Sequence, residues 1–154
     1  MAYVTGEAEA STGCFICDAV AAQDDAASLV VERTPVTITL LNRFPYSSGH
    51  LMVAPVRHAS DPRDLDAAEG SALFSGAQRA LAALDSAMHP NGFNLGLNLG
   101  SPAGGSVDHL HLHVVPRWAG DTNFMPVLGE VKVIPEHLEA TAAKLRDAFS
   151  RISP

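Results

Sequence analysis

The chain of 154 residues carries only two lysines, Lys132 and Lys144, and a formal net charge of -7. That balance argues against a broad nucleic-acid footprint, although a small phosphate site needs only a few local donors. No run approaches the roughly 18 apolar residues of a membrane span. The start, Met1 to Ala10, lacks the basic and apolar regions of a signal peptide. Residues 1–12 therefore read as a flexible leader and 13–154 as one domain. Cysteine is scarce as well: Cys14 and Cys17 are the whole complement, in one C-x-x-C pair. Without an export signal a structural disulfide is not expected, and the cytoplasm is the expected compartment. Repeats and low-complexity segments are absent. A composition of 47% hydrophobic and 18% charged residues is that of a soluble globular protein able to bury a core.

Histidine is where the chain concentrates. Of seven histidines, three fall in His109-Leu110-His111-Leu112-His113, followed by Val114-Val115-Pro116-Arg117. Side chains alternate across a β-strand, so the run predicts three imidazoles on one face and Leu110, Leu112 and Val114 on the core face. Each ring carries a donor and an acceptor that need partners. Such a row suits nucleophilic or acid/base chemistry, or metal ligation.

The surrounding pattern is α+β. Cys14 to Ala22 forms a short helix, Ser28 to Arg33 a strand, and Val36 to Leu41 a β-branched strand. Asn42 to Gly49 is a loop, and His50 to Pro55 a third strand. Asp66 and Glu69 make a capping-box-like start for a helix with apolar residues at Leu73, Phe74, Ala77, Leu81 and Leu84. That helix ends near Met88. Phe93 to Leu99 alternates as a strand, Gly100 to Ser106 is turn-rich, and the histidine strand follows. Pro135 opens a last helix reaching about Arg151. About five strands result, mostly antiparallel, with one long helix and a C-terminal helix. Five strands do not close a barrel, so an edge strand is left that a second copy could pair.

Two chemistries fit the residues. Cys14, Cys17, His58 and His109 would make a Cys₂His₂ set of the kind that holds structural zinc, although periodicity does not choose His109 over its neighbours. Alternatively, a mid-strand imidazole held in one tautomer attacks an electrophile. Gly104-Gly105-Ser106 just upstream offers backbone N–H groups and a hydroxyl to an anion. A catalytic metal held by His109, His111 and His113 is a further reading.

The H-x-H-x-H run resembles the signature of the histidine triad (HIT) superfamily. Leu40 to Pro55, with Gly49-His50 before an apolar run, is similar to that family's strand–loop–strand. The similarity spans residues 14–118. It implies a HIT-like fold, a homodimer whose sheets join, and chemistry on nucleotide phosphates. By this resemblance His111 is the nucleophile that forms a covalent nucleotidyl-histidine. His113 contacts phosphate oxygens, His50 is a fourth active-site histidine, and Ser106 lies near the leaving group. Asn42 would bond ribose and Asn98 would sit above the phosphates. Cys14, Cys17, His58 and His109 match the structural zinc ligands of metal-bearing members.

Many members carry Gln before the serine, where this chain has Gly105. The stretches Gly96 to Ser106, Pro116 to Phe124 and Lys132 to Pro135 look closer to mycobacterial-type diadenosine tetraphosphate phosphorylases. That branch implies inorganic phosphate, rather than water, as acceptor. On this reading Gly105 leaves room for a second anion, and Arg117 is a candidate phosphate contact. A hydrolase of dinucleoside polyphosphates or nucleoside phosphoramidates, and a nucleotide-binding module with vestigial catalysis, are the alternatives.

Overall fold

The computed structural model describes residues 13–121 and 137–154. Five strands, β1 (Val30–Arg33), β2 (Thr37–Leu41), β3 (Leu51–Pro55), β4 (Gly92–Leu97) and β5 (Leu112–Arg117), form one sheet in the order β1-β2-β3-β5-β4. Every pairing is antiparallel. The long helix α3 (Ala67–Met88) and the C-terminal helix α4 (Leu138–Ser150) accompany it, with two short helices, α1 (Phe15–Ala21) and α2 (Asp25–Ser28). This is the α+β architecture expected.

Alternation along the strands divides the core in two. Leu41, Leu51, Val53, Leu110 and Val114 pack with Leu73, Ala77 and Leu84 of α3 and Leu145 and Phe149 of α4. Ile38, Leu40, Met52 and Ala54 point the other way and pack with Ile16 and Ala19 of α1. α3 presses closely on β3: a Cβ built on Gly76 would lie 2.7 Å from Val53 Cγ1. The start of α3 is a full capping box, with Glu69 N–H donating to Asp66 and Asp66 N–H donating to Glu69. Arg79 of α3 pairs with Glu32 of β1 and donates to the Ser153 carbonyl, tying helix, edge strand and C-terminus together.

Several local features differ from expectation. The strand expected from Ser28 starts at Val30, because Asp24 caps the turn of α2 and Leu29 then adopts a left-handed conformation. β5 begins only at Leu112, so His109 and His111 precede the ladder rather than lie in it. Beyond β3 the Pro55 carbonyl goes to the His109 ring, and Leu110 N–H reaches Ala59 instead. Pro135, Phe124 and Lys132 fall outside the described residues, as does the leader; α4 itself starts after His137. Among the described residues no helix is long and apolar enough to cross a membrane.

Candidate functional site

The histidine run serves two centres. His109 turns toward α1: its Nδ1 lies 3.4 Å from Cys14 Sγ and 3.5 Å from Cys17 Sγ, and His58 Nδ1 is 3.3 Å from Cys17 Sγ. The four ligand atoms all lie within 4.8 Å of one another. Zinc–sulfur bonds of about 2.3 Å and zinc–nitrogen bonds of about 2.0 Å separate sulfur from nitrogen by roughly 3.5 Å in a tetrahedron. The observed spacings fit that figure. His109 Nε2 is 2.9 Å from the Pro55 carbonyl, which can only accept. The Nε2 atom therefore holds the proton, and the Nδ1 lone pair faces the sulfurs, as a metal ligand requires. Burial, together with the neighbouring Cys14 and Asp18, pushes the Cys17 thiol up to about 11. A cation among the four ligands would reverse that cost. Burial also pushes the His109 imidazole below its ordinary value, against the opposing pull of its bond to Pro55.

His50, His111 and His113 are buried together in a second cluster. His111 Nδ1 sits 2.7 Å from the His109 carbonyl, so it donates there and Nε2 keeps a lone pair. Tyr46 N–H donates to His50 Nδ1 at 3.1 Å, which leaves the His50 proton on Nε2. That proton is donated to His113 Nδ1 at 2.9 Å, and the His113 proton is thereby placed on Nε2. One backbone amide thus sets two tautomers in series. His113 Nε2 is buried without a partner among the described residues. The rings of His111 and His113 stand edge to face, 4.7 Å between centroids, and Tyr46 lies over His50 at 4.8 Å. Burial first, then His113 and His111, push His50 down to about 4; burial and His111 lower His113. The arrangement presents one imidazole lone pair beside one imidazole N–H, the pairing that an attack on a phosphorus centre needs.

An open cavity of about 540 Å³ lies on the outer face of β4 and β5. His113, Asn98 and Arg117 line it, with Tyr46, Ser47, Asn94, Gly96 and Asp121. Ser47, Asn94, Gly96 and Asp121 had not been singled out from sequence. The period-two series Asn94, Gly96, Asn98 was the available signal, because it puts all three on one strand face. Arg117 is engaged: it donates to both oxygens of Asp121, at 2.7 and 2.8 Å, and to Asn94 Oδ1 at 2.9 Å. A lone phosphate-seeking guanidinium is therefore not what the structure presents. Asn42 accepts from Phe44 N–H at 2.9 Å and so builds the loop before His50.

The glycine loop departs from expectation. The N–H groups of Gly104 and Gly105 donate to the carbonyls of Ser101 and Gly100 at 3.0 Å each, so they do not face an anion. A Cβ on Gly105 would stand 2.9 Å from the Gly100 oxygen and 3.2 Å from the Asn98 oxygen. The space beside Gly105 is filled by backbone rather than left for a second anion. Ser106 is exposed on the same loop and, like Asn42 and Gly105, does not line the cavity.

The family model for the HIT domain matches residues 23–120. An AP-4-A phosphorylase of Mycobacterium tuberculosis is 45% identical over 82% of this chain, which spans 66% of that relative's length. An asymmetrical bis(5'-nucleosyl)-tetraphosphatase of Schizosaccharomyces pombe is 30% identical over 61% of this chain and 52% of its own. Among solved structures, a zinc-bound histidine triad family protein of Mycobacterium smegmatis superposes with a TM-score of 0.74 at 26% identity, covering 92% of this chain and 96% of that one. The chain folds as those proteins do and belongs to the histidine triad (HIT) family.

Proposed function

We propose that the protein is a nucleotidyl transferase that splits diadenosine tetraphosphate by phosphorolysis. The observation that carries this reading is the His111 tautomer: Nδ1–H is tied to the His109 carbonyl, and the Nε2 lone pair is left for attack. His111 Nε2 attacks the α-phosphorus, the bond from that phosphorus to the bridging oxygen breaks, and ATP departs. Inorganic phosphate then attacks the nucleotidyl-histidine and releases ADP. His113 Nε2–H donates to a non-bridging oxygen as charge builds there. His50 holds His113 in that tautomer, Asn98 contacts the phosphates from just beyond β4, and Ser106 serves the leaving group. Asn42 orders the loop that carries the ribose contact.

Zinc is the ion that best suits two sulfurs and two imidazole nitrogens, held by Cys14, Cys17, His58 and His109. It supplies a structural cross-link rather than a reacting ligand. A homodimer through β4, one of the two edge strands of the sheet, fits that strand's exposed Leu95. Two reduced thiols suit the cytoplasm.

The rival reading is hydrolysis, supported by the tetraphosphatase relative. Products from diadenosine tetraphosphate, with and without inorganic phosphate, decide between them. ATP plus ADP formed only with phosphate is the expected result; ATP plus AMP without a phosphate requirement would overturn it. His111→Ala should abolish either.

A further inference from the structure

The loop between β2 and β3, residues 42–50, carries the first donor of the histidine relay, the Tyr46 N–H. Two backbone bonds close that loop on itself. Asn42 N–H donates to the His50 carbonyl at 2.9 Å, and His50 N–H donates to the Ser47 carbonyl at 3.2 Å. Gly49 turns the chain with a φ of +81°, pressed so closely on α3 that a Cβ would lie 2.7 Å from Met88 Sδ. A left-handed residue there takes the chain out of the extended conformation, and pairing of β3 with β5 ends at Leu51 and Val114. The Pro116 carbonyl, two residues past Val114, takes a side-chain donor: the Ser47 hydroxyl reaches it at 2.6 Å.

That bond joins the loop to the strand that carries His113. It also lies beside the relay donor. The peptide is planar, so the direction of the Tyr46 N–H is set by the dihedrals on either side of it. Pro45 fixes one φ before it, and the anchored Ser47 follows it. His50, fully buried, accepts from this N–H at Nδ1. A neutral imidazole has two tautomers. Without a donor held at Nδ1, the His50 proton is free to occupy that atom, and Nε2 then turns a lone pair on His113 Nδ1. The His113 proton would move to Nδ1 to meet it, and His113 Nε2 would lose its donor.

We propose that Ser47 is a positioning residue for nucleotidyl transfer: by anchoring the loop to Pro116, its hydroxyl holds the Tyr46 N–H on His50 and so keeps the His113 proton on Nε2. The consequence for turnover rests on the transferase reading above, whereas the effect on the tautomer does not depend on substrate. Ser47 also lines the cavity, so a direct contact with substrate is the competing role.

Nitrogen NMR of the ligand-free, histidine-labelled protein above neutral pH reads the relay directly. In the wild type the two His113 nitrogens should differ widely in shift, one protonated and one bare. Ser47→Ala should bring them closer. It should also lower kcat for diadenosine tetraphosphate about three- to tenfold, the weight of one such hydrogen bond, with KM changed less. Ser47→Thr keeps the hydroxyl and should restore both. Placed in a His50→Gln chain, Ser47→Ala should cost little further kcat, because the relay is already cut. A His113 separation unchanged in folded Ser47→Ala, or equal losses of kcat in both backgrounds, would overturn the role. So would a rise in KM alone, the mark of a lost substrate contact. No turnover by the wild-type chain would overturn the transferase reading, and the His113 shifts would still decide the role of Ser47.

Discussion

His50 offers a direct test of the tautomer relay, because its place in the structure forbids a charge. The ring is fully buried, and its Nδ1 already accepts from Tyr46 N–H. Protonation would put a donor against the Tyr46 donor inside the core. The imidazole is accordingly pushed from 6.5 to about 4, chiefly by burial. The folded pKa of this base is depressed, so the unfolded chain takes up the proton first as pH falls. Stability is therefore retained above the unfolded value and lost from about 6.5 down to about 4. Each unit in that window is worth about 1.4 kcal/mol, so the loss between pH 7 and pH 5 is roughly 2 kcal/mol.

The assay is urea denaturation of wild type and His50→Gln at both pH values. Subtracting the two removes acid effects common to both chains, including those at Cys14, Cys17, His58 and His109. The wild type should lose roughly 2 kcal/mol more than the variant. Equal losses would refute the placement of a neutral His50, and with it the series of tautomers running to His113.

Three other outcomes follow from the packing and the metal centre. Gly76→Ala, normally a gain of about 0.5–1 kcal/mol in a helix, should instead destabilise by about 1–3 kcal/mol in a denaturant melt, because the methyl group meets Val53. Cys17→Ser should lower zinc content by elemental analysis, and with it kcat for diadenosine tetraphosphate, since His109 positions His111 through its carbonyl; full zinc with full activity would contradict the assignment. Gly105→Ala should lower Tm through its clash with the Gly100 carbonyl, and an unchanged Tm would show that the loop has slack.

Much of this was legible in the residues. Asp66 and Glu69 announced the start of α3, and the period of two placed Leu110 and Val114 in the core. The C-x-x-C pair and His58 were readable as ligands once a fourth position, His109, was chosen. Two features were hidden because they depend on where other segments end. The histidine run appeared uniform, yet β3 pairs with β5 only from Val53 to Leu51, which leaves His109 and His111 outside the ladder. Gly105 appeared to make space, but the carbonyl that fills the space belongs to Gly100, brought there by the turn of Ser101–Ala103. Arg117 is a candidate phosphate contact in the sequence, and its ion pair with Asp121 is not evident there because Asp121 lies beyond the end of the strand.

His109 gives its ring to one centre and its carbonyl to the other. The spacing from His109 to His113 is consequently a fixed gauge. One residue added between them would exchange the two faces, turning an apolar side chain toward His50 and an imidazole into the core beneath α3. Two residues added would keep the faces but carry one histidine a strand repeat, roughly 7 Å, away from its place beside the Cys14–Cys17 cluster. The segment can therefore exchange one apolar spacer for another, but its length cannot drift.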